Sequence, residues 1–498
     1  MVVMEPKLPA NIIPGIVNVP ARDPQTQAVV ESLLEEDRQK HHCFFNPQGF
    51  HNHLSHHLLA AYDLGAPVAV LQAIYDTKCQ IQKPIDGEND TPLEQVKITP
   101  DNFTKYVGER RNYHAFLTFF TEQIKESGAS ETIESYVFSA AVNVDGVQML
   151  ARFMSGIFHP LIQTAYGAEF GSDAMIAQGL AQAAVHSNVV SDLVDFTAPD
   201  TPNDTANTSI RDEKEKGKPL LHVLRELYNS DALKPVAYDP DKDVGQYRVD
   251  TMKDGRPEEL KKLCATWWSS ASSESQALNL DVKVEELFWV TTLLLCATGK
   301  RGCKPRLDFV LMHTLNSTLF LPSLLKIIPS GTSKVRLLKS LLPVTMMYVL
   351  VRGRPRIDAG LVMSYTAAPR PPGLPSATPT PSAHAIGDPN QTYNPWLSIS
   401  ASVIHAPDAH TVKCIRALYY AAQHYGHKKA RDLPGCFVTF KEGHQGETFP
   451  GISELDGTVF VRAAGVVMDT LGWVTHGDNP GTWDFSGLGW DEAWRDKD

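Results

Sequence analysis

The segment Phe50-His51-Asn52-His53-Leu54-Ser55-His56-His57-Leu58-Leu59-Ala60-Ala61-Tyr62-Asp63-Leu64-Gly65-Ala66 places four histidines at the start of an otherwise apolar helical pattern. Asn52 can cap such a helix and Gly65 can end it. His53 and His57 then share one face, and His56 lies beside His53. That face also carries Leu and Ala, so it is drawn into the interior, where each imidazole nitrogen needs a hydrogen-bond partner or a metal. The histidines are therefore hydrogen-bonded core residues, residues of a solvated helix start, or part of a metal site, and partners elsewhere must decide.

The helical pattern continues over most of the 498 residues. Hydrophobic periodicity predicts helices, in order, over residues 26–38, 53–64, 71–82, 100–127, 130–166, 173–194, 220–228, 257–271, 282–297, 307–320, 333–351 and 396–427. The alternation of strands and helices that builds a doubly wound sheet is missing. The sequence therefore predicts a mainly α protein with a single large, all-helical, bundle-like domain.

Three kinds of segment fall outside this pattern. Residues 1–24 are rich in proline and are expected to form an extended N-terminal arm, so that residues 25–498 make up the domain. Within it we predict a charged loop over residues 199–217 and a Pro-rich loop over residues 366–395. The tail from residue 435 is expected to be a small irregular C-terminal segment with a hairpin around residues 459–467.

The composition excludes several kinds of partner. A net charge of -11 argues against nucleic acid or an anionic membrane surface. The longest apolar runs, residues 287–297 and 344–351, are too short to span a bilayer. The seven cysteines are scattered and form no C-x-x-C pair, which is typical of reduced thiols. With no signal-peptide pattern at the N-terminus, we expect an intracellular, cytoplasmic protein.

The common nucleotide and nucleophile motifs are also missing. The sequence has no G-x-G-x-x-G after a predicted strand, no P-loop and no G-x-S-x-G elbow. A flavin or NADPH enzyme of the usual kind would carry such a phosphate loop. If the protein is a redox enzyme, we therefore expect its electron chemistry to rest on another group.

Four further histidines lie in contexts similar to that of the first cluster. His159 precedes a helix-starting proline, His186 ends an Ala-rich helix, His313 lies in an apolar run, and His410 opens the last long helix. Each alone is typical of a core or capping residue, but together they predict a metal site. A first shell of imidazoles suits iron, copper or zinc better than magnesium or calcium. An iron site with one open position would support dioxygen chemistry.

Lys413 lies three residues after His410, on the same helix face. Desolvation and nearby cations both disfavour an ammonium, so a lysine beside buried histidines should lose its proton. A neutral amine can take up carbon dioxide as a carbamate and give a metal a carboxylate ligand. The alternative is a lysine whose ammonium reaches water from the helix start.

Several strings in the chain, taken together, resemble the questin oxidase-like family of fungal polyketide pathways, and they cover nearly its whole length. They are His51-Asn-His-Leu-Ser-His-His-Leu-Leu-Ala-Ala-Tyr-Asp-Leu-Gly65, His159-Pro-Leu-Ile, Ala184-Val-His186, Arg306-Leu-Asp-Phe-Val-Leu-Met-His313, Arg352-Gly-Arg-Pro355, His410-Thr-Val-Lys413 and Gly481-Thr-Trp-Asp-Phe-Ser-Gly-Leu-Gly-Trp-Asp-Glu-Ala-Trp494.

This resemblance implies a set of site residues. The family includes a non-haem iron enzyme whose metal is held by histidines and a carboxylated lysine. By resemblance, the metal ligands here are His159, His186, His313, His410 and a carboxylated Lys413. The catalytic acid–base and supporting residues would be His53, His56, His57 and Thr314. The chain departs from the family pattern at Gln163, where a second histidine is expected after His-Pro-Leu-Ile, which puts one proton donor in doubt.

The resemblance also implies an activity. The family cleaves anthraquinone-type rings by a Baeyer–Villiger-type oxidation, and several members are described as NADPH-dependent. We expect an oxidoreductase that uses Fe(II) and dioxygen to open the ring of a questin-like or versicolorin-like anthraquinone in secondary metabolite or mycotoxin biosynthesis. Arg352 and Arg354 would hold phenolate or carboxylate oxygens, unless they form helix-terminal salt bridges.

Two alternatives remain open at this point. The first is a metal-free NADPH-dependent monooxygenase, in which the histidines act only as acids and bases. The second is a non-catalytic helical partner protein whose histidines are structural.

Overall fold

The computed structural model describes residues 8, 11–20, 23–85, 96–194, 196, 217–268, 280–373, 382, 384, 386–387, 393–440 and 443–495. This part of the chain contains nineteen α-helices and one two-stranded sheet, which confirms the predicted mainly α fold. None of its helices combines the length and the apolar character that crossing a membrane requires.

The α-helices span Thr26–Lys40, Leu54–Asp63, Val68–Lys78, Tyr113–Ser127, Ala129–Ile133, Met149–Met154, His159–Phe170, Asp173–Val185, Leu220–Asn229, Val244–Thr251, Arg256–Ala265, Leu280–Cys296, Phe309–Leu319, Leu321–Ile327, Gly331–Val351, Ala359–Met363, Pro395–Val403, Ala409–Tyr425 and Val459–Leu471. The sheet pairs Phe437–Thr439 with Gln445–Glu447 in antiparallel register.

The histidine-rich segment forms one of the most buried helices. Its first amide, Leu54 N, donates to the Asn52 side chain at 2.8 Å, but the helix begins at Leu54, so the N-cap position falls on His53 and not on the predicted Asn52. Gly65 follows the helix with a φ of +83°, a conformation that favours glycine. Eight of the helix residues besides Leu54 are buried, because Leu54–Asp63 packs against the helices Thr26–Lys40, Val68–Lys78 and Ala409–Tyr425. This places its histidines inside the protein.

A buried ion triad fastens the N-terminal arm to the core. Arg416 is fully buried and donates to Asp63 at 2.7 Å and to Glu169. The two carboxylates also accept from arm amides: Glu169 from Ile16 N at 2.9 Å and Asp63 from Asn18 N at 2.9 Å. Burial raises the pKa of Glu169 to about 7, although the Arg416 guanidinium opposes this shift. The described part of the arm, including residues 11–20, is therefore held by charged groups of three helices.

Two predictions about regular structure were wrong. Residues 459–467 belong to the helix Val459–Leu471, because Phe460, Ala463 and Val467 recur at helical spacing and are buried. The small hairpin lies earlier, at Phe437–Thr439 and Gln445–Glu447.

Several predicted helices are shorter or divided. The helix predicted over residues 100–127 begins only at Tyr113, after short 3-10 turns. Residues 130–166 contain a π-helical turn and several helices, and the helix predicted to residue 194 ends at Val185. The segment 396–427 divides before Asp408, since Pro407 disfavours helix at the residue before it and Asp408 caps a new helix. Much of the predicted Pro-rich loop and residues 199–216 of the charged loop lie outside the described residues.

Candidate functional site

Four histidines from four helical segments bring their rings together in the interior. His53, His159, His313 and His410 each offer one ring nitrogen, and these four nitrogens all lie within 4.8 Å of one another. His53 immediately precedes its helix, His159 is the first residue of its helix, and His410 is the second. His313 lies about one turn inside the helix Phe309–Leu319. We call these four residues the histidine group.

The Nδ1 atom of every ring in the histidine group has an oxygen partner. The acceptors are the carbonyl oxygens of His51, Gly156 and Phe309, at 2.6, 2.5 and 2.8 Å from His53, His159 and His313, and the Asp408 carboxylate, at 2.9 Å from His410. Carbonyl and carboxylate oxygens only accept, so Nδ1 carries the proton and Nε2 of the neutral ring keeps a lone pair.

These Nε2 lone pairs face one another. The Nε2 atoms of His53 and His159 lie 2.9 Å apart. The Nε2 atoms of His313 and His410 are buried and have no hydrogen-bond partner among the described residues. Lone pairs that face one another repel, and a cation between them removes the repulsion. The donor set therefore fits a transition metal that prefers imidazole, and the orphaned Nε2 atoms would bind it.

Protonation of one of the rings, which would also remove the repulsion, is disfavoured. Burial lowers the pKa of His53, His159 and His313 well below the ordinary histidine range, and neighbouring imidazoles and Lys413 lower it further. Burial also lowers the pKa of His410. The rings are thus neutral at pH 7, the form in which imidazole binds metals.

Lys413 is buried beside the histidine group. Its side chain is 1% exposed, and its Nζ atom has no hydrogen-bond partner among the described residues. Burial lowers its pKa to about 7, and the Asp408 carboxylate offsets only part of this shift. A large fraction of the amine is therefore neutral near physiological pH, and the alternative of an ammonium in water does not apply.

His186, predicted as a metal ligand, lies outside the histidine group. Its ring stacks on His51 at a centroid distance of 5.4 Å, and His51 in turn stacks on His159 at 3.9 Å. His186 is thus two rings away from the facing nitrogens, and burial lowers its pKa to about 4. His53, predicted as a catalytic residue, occupies the fourth position instead.

The other predicted catalytic residues lie on helices that carry or follow members of the histidine group, and the ring of His56 lies 5.3 Å from that of His53. His56 Nε2 donates to the Gln163 amide oxygen at 2.7 Å. His57 is buried, and burial lowers its pKa to about 3. Thr314 Oγ1 donates to the Leu311 carbonyl within its own helix, at 2.6 Å.

Gly156 is a site residue that the sequence reasoning missed. Its φ is +59°, and a Cβ atom there would lie 2.3 Å from His186 Nε2 and 2.9 Å from His51 Cε1. The next two residues, Ile157 and Phe158, also have positive φ values, of 54° and 66°. Such conformations are strained for residues with a side chain and occur preferentially at functional sites. The only signal in the sequence was a glycine three residues before His159.

Arg352 and Arg354 serve the fold. Arg352 donates to Asp308 at 2.7 Å, and both side chains are buried. Asp308 also caps the helix Phe309–Leu319, so the salt-bridge alternative is confirmed for Arg352. Arg354 donates to the carbonyls of Leu227 and Ser230, both at 2.9 Å.

Comparison with known proteins shows which family the chain resembles. Residues 50–418 match the family described as Questin oxidase-like, a segment that contains the whole histidine group and Lys413. A Baeyer-Villiger oxidase, AgnL3 of Paecilomyces divaricatus, is 26% identical over 465 residues, which cover 93% of this chain and 89% of the relative. The questin oxidase of Aspergillus terreus is 25% identical over 470 residues, 93% of this chain and 91% of the relative. That of Aspergillus fumigatus is 26% identical over 443 residues, 88% and 87% of the two chains.

Proposed function

Because the chain belongs to the questin oxidase-like family, we propose that it is an oxygenase that performs a Baeyer–Villiger-type oxidation on an anthraquinone-type polyketide in secondary metabolism. The relatives named as Baeyer-Villiger oxidase and questin oxidase support both the reaction class and the substrate class. A questin-like or versicolorin-like ring system is the substrate that we infer.

We assign a non-haem Fe(II) to the histidine group. The proposed ligands are His53, His159, His313 and His410, together with Lys413 as a carbamate. This assignment exchanges the roles that the sequence suggested for His53 and His186. The orphaned Nε2 atoms and the partly neutral, buried Lys413 amine support it. When bound, the iron supplies the activation of dioxygen.

The proposed reaction balances as follows. One oxygen atom of dioxygen enters between a ring carbonyl carbon and its neighbouring ring carbon, so that one carbon–carbon bond breaks and two carbon–oxygen bonds replace it. The second oxygen atom leaves as water, which requires two electrons and two protons. These come from NADPH or from the hydroquinone form of the substrate. The product of this insertion is a lactone, and hydrolysis of its ester bond by a water molecule opens the ring to a carboxylic acid and a phenol that keeps the inserted oxygen.

The side chains around the histidine group bind and orient the substrate. Three helices begin at the group, and their positive N-terminal ends favour a phenolate or carbamate oxygen there. Because His56 Nε2 is bonded to Gln163, its Nδ1 is left as an acceptor, and it has no partner among the described residues. His56 therefore offers a fixed hydrogen-bond acceptor to a phenolic hydroxyl group.

The convergence of the four Nε2 atoms carries this proposal, and metal analysis tests it. Wild-type protein, Lys413→Ala and His313→Ala would be purified without chelator or metal-affinity resin and analysed by mass spectrometry. Lys253→Ala, a change at an exposed lysine in a surface ion pair, is the control. We expect close to one iron per chain in wild type and control, and loss of iron in the two site variants.

Turnover of an anthraquinone under isotopically labelled dioxygen completes the test, with label expected in the ring-opened product. Metal-free protein that turns over with stoichiometric NADPH would overturn the iron assignment. Site variants that lose stability but keep full turnover would show that these residues are structural.

A further inference from the structure

Three consecutive residues near the C-terminus contact two of the helices that supply the histidine group. They are Trp483, Asp484 and Phe485, and we call them the C-terminal clasp. They lie beyond residue 418, where the match to the family ends. Each of the three makes a different contact, and each contact leads to His313 or His410.

Trp483 holds the carboxylate that orients His410. Its indole N–H donates to Asp408 Oδ2 at 2.6 Å. The other oxygen, Asp408 Oδ1, accepts from His410 Nδ1 at 2.9 Å and from the His410 backbone amide at 3.1 Å. Because 41% of the Asp408 side chain is exposed, this carboxylate can turn toward water unless it is held. The indole therefore fixes the carboxylate, and the carboxylate fixes the ring and its tautomer.

Asp484 holds the start of the helix that carries His313. Its carbonyl accepts from Phe309 N at 2.9 Å, and its amide donates to the Leu307 carbonyl at 2.8 Å. Phe309 is the first residue of the helix, and its own carbonyl accepts from His313 Nδ1 at 2.8 Å. The position of the acceptor that orients His313 thus depends on the clasp.

Phe485 covers Phe309, the first residue of that helix, on its solvent side. Its ring stacks on Phe309 at 4.5 Å although 58% of the residue is exposed. The Phe309 ring in turn lies 4.8 Å from the ring of His313 and 4.9 Å from that of His410. Phe309 therefore packs against both histidine rings, and Phe485 packs against Phe309.

We propose that the C-terminal clasp is a positioning element that keeps the Nε2 atoms of His313 and His410 aimed at the metal. Trp483 acts through Asp408, and Asp484 and Phe485 act through Phe309. The inference rests on the metal site assigned under the proposed function. It predicts that a group more than sixty residues beyond Lys413 controls metal affinity without touching the metal.

The test compares Trp483→Phe with Trp473→Phe. Both changes keep an aromatic ring and remove an indole N–H that donates to an aspartate at 2.6 Å. The partner of Trp473 is Asp469, near the end of the helix Val459–Leu471, so this variant controls for loss of a partly buried hydrogen bond. Metal-stripped proteins would be titrated with Co(II), whose absorption spectrum reports its ligands. The melting temperature of each protein would be measured separately in the absence of metal.

We expect Trp483→Phe to weaken Co(II) binding by roughly 10- to 100-fold and to change the spectrum. Trp473→Phe should bind as wild type does, and the two metal-free variants should melt at similar temperatures. Equal Co(II) affinity in Trp483→Phe and wild type would overturn the proposal, as would an equal loss in both variants.

A metal-independent measurement separates this inference from the iron proposal. Nitrogen NMR of histidine-labelled, metal-free protein reports the tautomer of His410, which Trp483→Phe should disturb. If wild-type protein binds no metal and Trp483→Phe still changes the His410 tautomer, the iron assignment is overturned and the clasp is supported. An unchanged His410 tautomer, with Co(II) bound equally by both proteins, would overturn the clasp alone.

Discussion

Gly156 offers a direct test of how tightly the histidines are packed, because the cost of adding one methyl group there can be worked out. At a φ of +59°, an alanine costs roughly 1–2 kcal/mol more than glycine. Its Cβ would also lie 2.3 Å from His186 Nε2 and 2.9 Å from His51 Cε1. Displacing packed rings costs roughly a further 1–3 kcal/mol. Gly156→Ala should therefore lower the free energy of unfolding by about 2–5 kcal/mol.

Urea denaturation of metal-free protein measures this change, and Gly146→Ala is the matched control. Gly146 has a φ of +79°, and a Cβ atom added there would meet no described atom within 4 Å. It should show only the backbone cost of roughly 1–2 kcal/mol. A double-mutant cycle with His186→Ala then isolates the clash with that ring, since removing it should recover part of the roughly 1–3 kcal/mol that ring displacement costs, while the His51 contact remains. The reasoning is refuted if Gly156→Ala costs no more than the control, or if its cost is unchanged when His186 is alanine.

Four further variants test the buried charges and the polar network. Lys413→Met should raise the free energy of unfolding of metal-free protein, kept free of carbon dioxide, by up to about 5 kcal/mol near pH 6. Burial lowers the pKa of Lys413 from 10.5 to about 7, so the folded wild-type protein loses stability as the pH falls between these values. The stability gained by Lys413→Met should therefore shrink near pH 10. A gain that does not depend on pH would contradict this. Asp63→Asn should lower the free energy of unfolding by about 3–5 kcal/mol and expose the arm to proteolysis. Glu169→Gln should lower it by less, because a carboxyl with a pKa of about 7 is already partly neutral at pH 7. Equal losses of stability in urea denaturation would argue against this difference. Gln163→Leu removes the acceptor of His56 and should cost roughly 1–3 kcal/mol in the same assay, and full stability would show that the hydrogen bond contributes little.

Local sequence patterns were enough to predict much of this molecule. Asn52 and Gly65 bounded the first histidine helix, and apolar neighbours indicated that its histidines are buried. The same argument left two alternatives for Lys413, a neutral amine in the interior or an ammonium that reaches water, and the structure shows that the side chain is buried. These are properties of one helix face, which periodicity reveals directly.

Which histidines form the group depends on how helices that are far apart in sequence pack against one another. Periodicity within one helix does not show this packing. His53 precedes its helix and was expected to support the site, yet tertiary packing turns its ring into the group. His186 has an equally suitable local context but lies behind His51. The helix Val459–Leu471 was missed because a short apolar run fits a strand or a buried helix equally well.

Long-range support was the least visible in the sequence. Gly156 is required by rings that approach it from elsewhere in the chain, and nothing in its neighbours announces them. Trp483 in the same way contacts an aspartate 75 residues away. Such residues can be found only once the fold shows what lies beside them.

The Arg416 triad has a consequence for how the protein is made. Asp63 and Arg416 are 353 residues apart, and a ribosome needs roughly 20–70 s to synthesise the chain between them. During that time the arm, the two carboxylates and the first histidines are on a nascent chain without their last partners. The core must therefore close late, after the helix Ala409–Tyr425 has emerged. Any metal would be loaded only after this helix has emerged, and a shortened chain that ends before this helix would keep two acidic groups without their counter-charge.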